Sequence, residues 1–360
     1  MSVLISDSVY YGSVNMPEAD GATVGGAIDF TRRVAFNDIT PSGLLDYVSS
    51  SASDTATKIN VSGRDSTGVI QTETKTLNGT TVVAGAQSFE RLLYGASSGA
   101  SATGPLANPG GTAAVGDIAA ISHTAVVSAH TMRTGSAQAT SSVPALAYLA
   151  TGDGASVSVG QIIRTTGGTG PNQLRQIVAI NPGGLGADVV AINRNWTVLA
   201  DNTTTYNIHQ GFLFEILPNP VTSIVRPFSG AAADVSGGSS RAYVEKIFCV
   251  NNNTTTALTL ASIIKQVDPA GSGVLQIALT NVLNDMGTVA NRQTAVGSGI
   301  TAYTSGAAPQ TINVPSPQNL PSGSAPNSAG AQGIWLQLTL AAGIAAQKTS
   351  FTLRDSGTTT

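Results

Sequence analysis

The chain has 360 residues, of which only 10% are Asp, Glu, Lys or Arg, and a formal net charge of −3, whereas an ordinary soluble domain is roughly 25% charged. Its seventeen Lys and Arg are scattered, which excludes the basic stripe of a nucleic-acid binder and the basic cluster that anionic lipid requires. No run approaches the ~20 apolar residues of a membrane-spanning helix, and the 40 Gly fall in clusters without the period of collagen. The exterior must then be mostly Thr, Ser, Asn, Gly and Ala. Such a surface lacks the charge that keeps copies apart and suits a chain packed among other chains.

Residues 1–30 read as an extended arm. YYGSVNMPEADGATVGGA is rich in Gly and small residues and has no 3.6-residue period, so it carries little core and is expected to become ordered against a neighbour. The opening MSVLISDSVYYGS lacks a basic segment followed by a long apolar core, the mark of a signal peptide. From 54 to 94 the pattern is β. Ile59 and Val61 alternate with polar neighbours, a turn follows at Gly63-Arg64-Asp65-Ser66-Thr67-Gly68, and VIQTETKTL continues as a strand. Asn78-Gly79 is a strong hairpin signal because both positions tolerate φ > 0, so Thr80–Val83 are expected to return beside VIQTETKTL in a meander.

The stretch 95–116, GASSGASATGPLANPGGTAAVG, reads as a linker or long loop. Between 117 and 155, IAAISHTAVVSAHTM and PALAYLAT fit either strands or short helices. GQIIRTT, LRQIVAI, VVAINRNW and YNIHQ then give four short strands between polar loops, the pattern of a small barrel or sandwich. The composition of 218–240 marks a boundary. Beyond it YVEKIFCV, ALTLASIIKQV, VLQIALTNV, QTINVPSP, GIWLQLTL and TSFTLRD read as six strands, with PSPQNLPSGSAPNSAGAQ as a long loop. No segment longer than about 15 residues keeps a helical apolar stripe. The chain therefore reads as all-β: two or three β-sandwich or barrel-like domains in series, with a meander or sandwich at 31–105, a middle β domain at 106–216 and a C-terminal sandwich at 217–360.

Motifs for chemistry are sparse. His123 and His130 lie seven apart in Ala/Val/Ser surroundings, and neither they nor His209 have a neighbouring carboxylate or a third ligand in sequence, so zinc is not expected. Gly237-Gly238-Ser239-Ser240 and Gly297-Ser298-Gly299 miss the strand-to-helix GxSxG elbow of a serine nucleophile. Glu73, Glu90, Glu215 and Glu245 lie in or beside strands, but none has an acidic partner or aromatic cluster nearby in sequence, which glycoside hydrolysis would need. Trp196 and Trp335 sit in strand-like runs and read as core anchors. Gly167-Gly168-Thr169-Gly170 lacks the Lys and following helix of a phosphate loop and reads as a hairpin turn. Asp153-Gly154 and Asn251-Asn252-Asn253 do not fit a calcium loop. Asn78-Gly79-Thr80 and Asn195-Trp196-Thr197 match the glycosylation triplet but carry no weight without a secretory signal. The lone Cys249, in an apolar run, reads as a buried inert thiol. No residue is assigned a catalytic, cofactor-binding or metal-binding role, and no cofactor is expected.

Three stretches carry a resemblance. KINVSGRDSTGVIQTETKTLNGTTVVAGAQSFERL resembles a recurring β segment of tailed-bacteriophage virion proteins. GQIIRTTGGTGPNQLRQIVAINPGGLGADVVAINRNWTVLADNTTTYNI is similar to a second, and AYVEKIFCVNNNTTTALTLASI with GIWLQLTLAAGIAAQKTSFTLRDSGTT to a third, a C-terminal sandwich. Together they cover a large part of the chain and point most closely to capsid decoration (cement) proteins. The resemblance implies a non-enzymatic role on the outer surface of a virion, after synthesis in the host cytoplasm. Its implied partners are the major capsid protein and copies of the chain itself, as a trimer or dimer, with neither nucleic acid nor membrane. A tail, collar or baseplate component is the alternative, and a receptor-binding or glycan-cleaving spike the second alternative.

Overall fold

The computed structural model describes residues 8–34, 38–100, 108–133, 145–216, 220–234, 236, 238–253, 256–267, 269, 273–312, 330–344 and 350–358. Among them are twenty-two β-strands, numbered here in chain order, a few short turns of 3-10 helix and no α-helix. The chain divides into two compact units. A terminal unit comprises Met1–Val34, Thr103–Pro105 and Pro227–Thr360, and a central unit comprises Ala35–Ala102 and Leu106–Arg226. The all-β class expected from the sequence is what the chain adopts.

In the terminal unit the main sheet runs β2 (Val24–Val34), β1 (Ser8–Asn15), β16 (Arg241–Asn251), β21 (Ala331–Leu340), β18 (Gly273–Leu283). β19 (Thr288–Val289) also pairs with β2. All these pairings are antiparallel, and β16 and β21 run together without a break from Arg241↔Leu340 to Val250↔Ala331. β16 is buried on both faces from Tyr243 onward, which is why YVEKIFCV does not alternate but reads as an apolar run interrupted by Glu245-Lys246. A second sheet, β20 (Gln310–Thr311), β17 (Thr259–Val267) and β22 (Thr352–Thr358), turns Ala261 and Ile263 inward. Lys265 Nζ of β17 donates to Leu275 O of β18 at 2.6 Å.

The expected N-terminal arm is corrected here. Ser8–Asn15 lies between β16 and β2 inside the sheet, with Val9 and Tyr11 buried. Glycine suggested looseness, yet here it permits close approach. Gly25 holds φ at +90°, and a Cβ there would stand 2.6 Å from the Trp335 ring and 2.8 Å from Gly287 O. Trp335 is 1% exposed and packs with Val24, Val244 and Ala278. Gly25→Ala is expected to cost about 2–4 kcal/mol, from overpacking plus a left-handed backbone. Urea unfolding measures it, and a loss under about 1 kcal/mol would show that the ring can move aside.

In the central unit one sheet runs β14 (Gly211–Phe214), β7 (Ile118–Ser122), β3 (Asp38–Ser49), β6 (Val83–Ser97), β15 (Ser223–Val225). β4 (Lys58–Arg64) also pairs with β6, and β5 (Ile70–Thr76) with β4. The turn at Asn78-Gly79 is present, with Gly79 at φ +57° and Thr81 N–H on Asn78 O at 3.0 Å. It does not make the expected hairpin. β4 inserts between β5 and β6, because its Ile59 and Val61 are fully buried whereas β5 buries only Glu73. The supposed linker 95–116 is structured at both flanks. β6 runs to Ser97, and the buried Asp54 carboxylate accepts Val115 N–H at 2.8 Å and Gly116 N–H at 3.0 Å; residues 101–107 lie outside the described residues.

The second sheet of this unit runs β8 (Val127–Thr131), β13 (Thr205–His209), β10 (Ile162–Gly167), β11 (Leu174–Ile180), β12 (Val189–Ile192), β9 (Leu146–Tyr148). Arg133 N–H donates to Tyr148 O at 3.0 Å, joining the two outer ends so that the sheet curls toward a small barrel. Val127, Ile163, Ile177, Val190, Ile192, Trp196, Tyr206 and Ile208 belong to its core. Ile162 and Leu174 point the other way, toward Val48, Ile121 and Leu213 of the first sheet. Alternate residues of one strand thus serve two cores, as a two-residue period dictates. The ambiguous stretches near 118–131 and 146–148 are strands. VVAINRNW is a strand only to Ile192, so Trp196 anchors the core from a loop.

Candidate functional site

The central unit gathers most of the residues with chemical potential. His130 on β8 stands opposite Tyr206 of β13. Its Nδ1 lies 2.8 Å from both oxygens of Asp153, a buried residue in the 3-10 turn Asp153–Ala155. The Tyr206 hydroxyl donates to Asp153 Oδ2 at 2.5 Å and accepts Ala150 N–H at 2.8 Å. Burial, then the bond to Asp153, pushes the Tyr206 phenol well above its ordinary range. Asp188 ties the same turn down by accepting Gly154 N–H at 2.9 Å and Gly152 N–H at 3.1 Å, and those bonds hold its carboxyl below the usual range. Asp153-Gly154, read in sequence only as a failed calcium loop, is the anchor of this network.

A second histidine group lies where β7, β3 and β13 end. His123 Nδ1 is 3.1 Å from both oxygens of Asp46. His209 is 5% exposed; its Nδ1 bonds Ser122 O at 2.7 Å, and its Nε2 has no partner. Burial pushes the His209 imidazole down, with Arg164 and His123 adding to the fall, so the ring is neutral at neutral pH. The expectation that His123 and His130 lack carboxylate neighbours is therefore corrected. Asp46 and Asp153 lie 77 and 23 residues away in sequence, and the sheets bring them in.

Each dyad can orient an imidazole. Acyl transfer would also need a hydroxyl or thiol bonded to the free ring nitrogen, and among the described residues neither exposed histidine holds one. Among the described residues no group of three or more His, Cys, Asp or Glu could hold a metal ion.

Each strand carboxylate has partners of its own. Glu73 accepts the Tyr47 hydroxyl at 2.9 Å and Ala86 N–H at 2.6 Å, and pairs with Lys75 at 3.0 Å. Glu215 binds Asn193 Nδ2. Glu90 also has a partner of its own. Glu245, 3% exposed, pairs with Arg292 at 2.8 Å. The Gly-x-Asp-x-x-Gly turn spends its carboxylate on itself. Asp65 accepts Thr67 Oγ1 at 2.7 Å, Gln71 Nε2 at 2.9 Å and Val69 N–H at 3.0 Å, which lowers it to about 2, the Thr67 hydroxyl contributing most. Gly167–Gly170 forms the loop between β10 and β11, with Thr169 Oγ1 donating to Asp201 at 2.7 Å. Cys249 is buried beside Ser8, and burial pushes its thiol up. Asn251 and Asn253 close their own turn on Thr256. Gly297–Gly299 has no regular structure, and Gly237 lies outside the described residues.

What distinguishes this chain is where its few charges go. Of seventeen Lys and Arg and twenty Asp and Glu, eleven are buried among the described residues: Arg32, Asp46, Asp54, Glu73, Asp117, Asp153, Arg175, Glu245, Lys246, Lys265 and Arg292. The described outside is thus about as poor in charge as the composition implies. Sequence reading missed most of these, though Glu245-Lys246 in the middle of an apolar run was a legible oddity. Lys246 Nζ donates to Asp285 Oδ2 at 2.6 Å and to Asp285 O at 2.8 Å, Gly26 O at 3.0 Å and Gly287 O at 3.2 Å. No known family profile, curated protein or solved structure matches the chain.

Proposed function

We propose that this chain is a non-enzymatic structural protein of a tailed-phage virion, a decoration protein seated on the outer surface of the major capsid protein lattice, where it stabilises the head. The observation that carries the reading is the scarcity of charge, 10% of the chain. Eleven of those charged side chains sit inside the described structure, and the rest are thinly spread over an exterior rich in Ser, Thr, Asn and Ala. Such a surface can be covered by a neighbour without the cost of desolvating unpaired ions. Modest contacts of this kind hold firmly once a lattice repeats them. The three segments that resemble virion proteins, which include β4–β6, β10–β13, β16 and β21–β22, agree with it.

Heads assembled without the protein should break at lower temperature or smaller osmotic shock than complete heads, and purified protein should restore them. Because few charges face outward, binding should change less than about threefold between low and high salt, whereas contacts made by many exposed ions weaken steeply. Unchanged resistance of the heads counts against a cementing role. A label confined to the neck or baseplate moves the protein to the tail, and release of reducing ends from host polysaccharide makes it a spike.

A further inference from the structure

An outer strand with open backbone groups is a template for another strand. In the central unit β5 pairs with β4 alone, seven residues in unbroken register from Lys58↔Thr76 to Arg64↔Ile70. The other outer strands described are less inviting. β14 has four residues, and β8 and β9 are drawn together by the Arg133–Tyr148 bond. In the terminal unit β18 breaks register after Leu279, and β22 shifts register twice along β17. β5 has no Pro and no bulge; its one Lys, Lys75, is bonded to Glu73.

The strand also complements itself. Thr72, Thr74 and Thr76 are exposed on one face, while Gln71, Glu73 and Lys75 lie on the other. Residues that oppose each other across antiparallel strands share a face, so a two-fold pairing of β5 with β5 must be centred on a residue. Centred on Glu73, it opposes two like carboxylates. Centred on Thr72, it opposes Glu73 to Gln71. Centred on Thr74, it sets Glu73 against Lys75 of the second copy twice over, with Thr72 opposite Thr76 and Thr74 opposite itself. We infer that β5 is a self-association edge, and that two copies of this chain join antiparallel through Thr72–Thr76 about a two-fold axis at Thr74. Such a contact is isologous. One strand pair covers far less than the ~1,200 Å² of a stable interface, so the dimer is weak in dilute solution and firm only where copies are held close. The inference does not depend on where the protein works.

Cysteine placement reads the register in the full chain, since native Cys249 is buried. Thr74→Cys should give a disulfide-linked dimer under mild oxidation, because opposed Cβ atoms lie ~4.5–5.5 Å apart. Thr72→Cys alone should not, because its two copies stand roughly 13 Å apart along the strand; mixed with Thr76→Cys it should. Adding Lys75→Glu to Thr74→Cys should cut the dimer yield about tenfold by opposing like charges twice. Absence of dimer with both Thr74→Cys and the Thr72→Cys/Thr76→Cys mixture, or equal dimer from Thr72→Cys and Thr74→Cys, overturns the inference. If Thr74→Cys fails to fold, the Thr72→Cys/Thr76→Cys mixture decides alone.

Discussion

Asp117→Ala should destabilise the protein by about 3–5 kcal/mol, the cost of leaving buried charge without its partner. Asp117 is 2% exposed and pairs with two guanidinium groups, those of Arg175 at 3.6 Å and Arg194. Its Oδ1 also accepts Ile216 N–H at 3.0 Å. Arg175 is itself buried over the Trp196 ring, with Asn195 O and Leu174 O taking its other protons. Burial lowers both arginines to about 10, still far above neutral pH, so neither can shed its proton when the carboxylate is removed. Asp117→Asn keeps an acceptor for Ile216 and loses only the charge, so its cost should fall between Asp117→Ala and the parent. Urea unfolding at pH 7 checks both. A loss below about 1 kcal/mol for Asp117→Ala, the scale of an exposed pair, would mean that water reaches this cluster.

The strands of this protein were readable and its pairings much less so. LRQIVAI coincides with β11, and GQIIRTT and YNIHQ with β10 and β13, to within two residues at either end, because β-branched runs bounded by turn residues are a local signal. β3 left no such mark. Its run DITPSGLLDYVS holds Pro41 and Gly43 at a register shift against β6, where such residues are tolerated although they break the local β pattern. Partner choice is not local either. Nothing near Asn78-Gly79 says that β4 will insert beside β6. Asp46 comes to His123 only because β3 pairs with β7, and Arg292 to Glu245 only because the turn after β19 bonds back to β16. The arm failed for a further reason: Gly12 and Gly25 signal flexibility in isolation, and only the presence of Arg32 and Trp335 turns their missing side chains into packing space.

Glu245→Gln should raise stability by under about 1 kcal/mol at pH 5 and by about 3 kcal/mol at pH 8. Glu245 is enclosed in the terminal unit, with Oε1 on Arg292 Nη2 at 2.8 Å and Oε2 accepting Phe228 N–H at 3.0 Å. Arg292 Nη1 donates to Glu18 O at 2.9 Å, and its guanidinium lies over Tyr243. Burial is the largest influence and pushes Glu245 up to about 7 from its ordinary 4.5, with Glu18 adding to the rise, while Arg292 and the Phe228 amide pull it only partly back. The folded protein therefore holds this proton more tightly than the unfolded chain does. Stability from Glu245 is fully present below about 4.5 and is lost as pH rises through about 7. At 1.36 kcal/mol per unit, that shift amounts to about 3 kcal/mol. Glutamine mimics the protonated form at every pH, so the difference between parent and variant isolates this one group from every other carboxylate. A buried ion pair that costs more to desolvate than it returns behaves in this way. Should Glu245→Gln prove less stable than the parent at pH 8, the carboxylate is ionised there and its bond to Arg292 is a net source of stability.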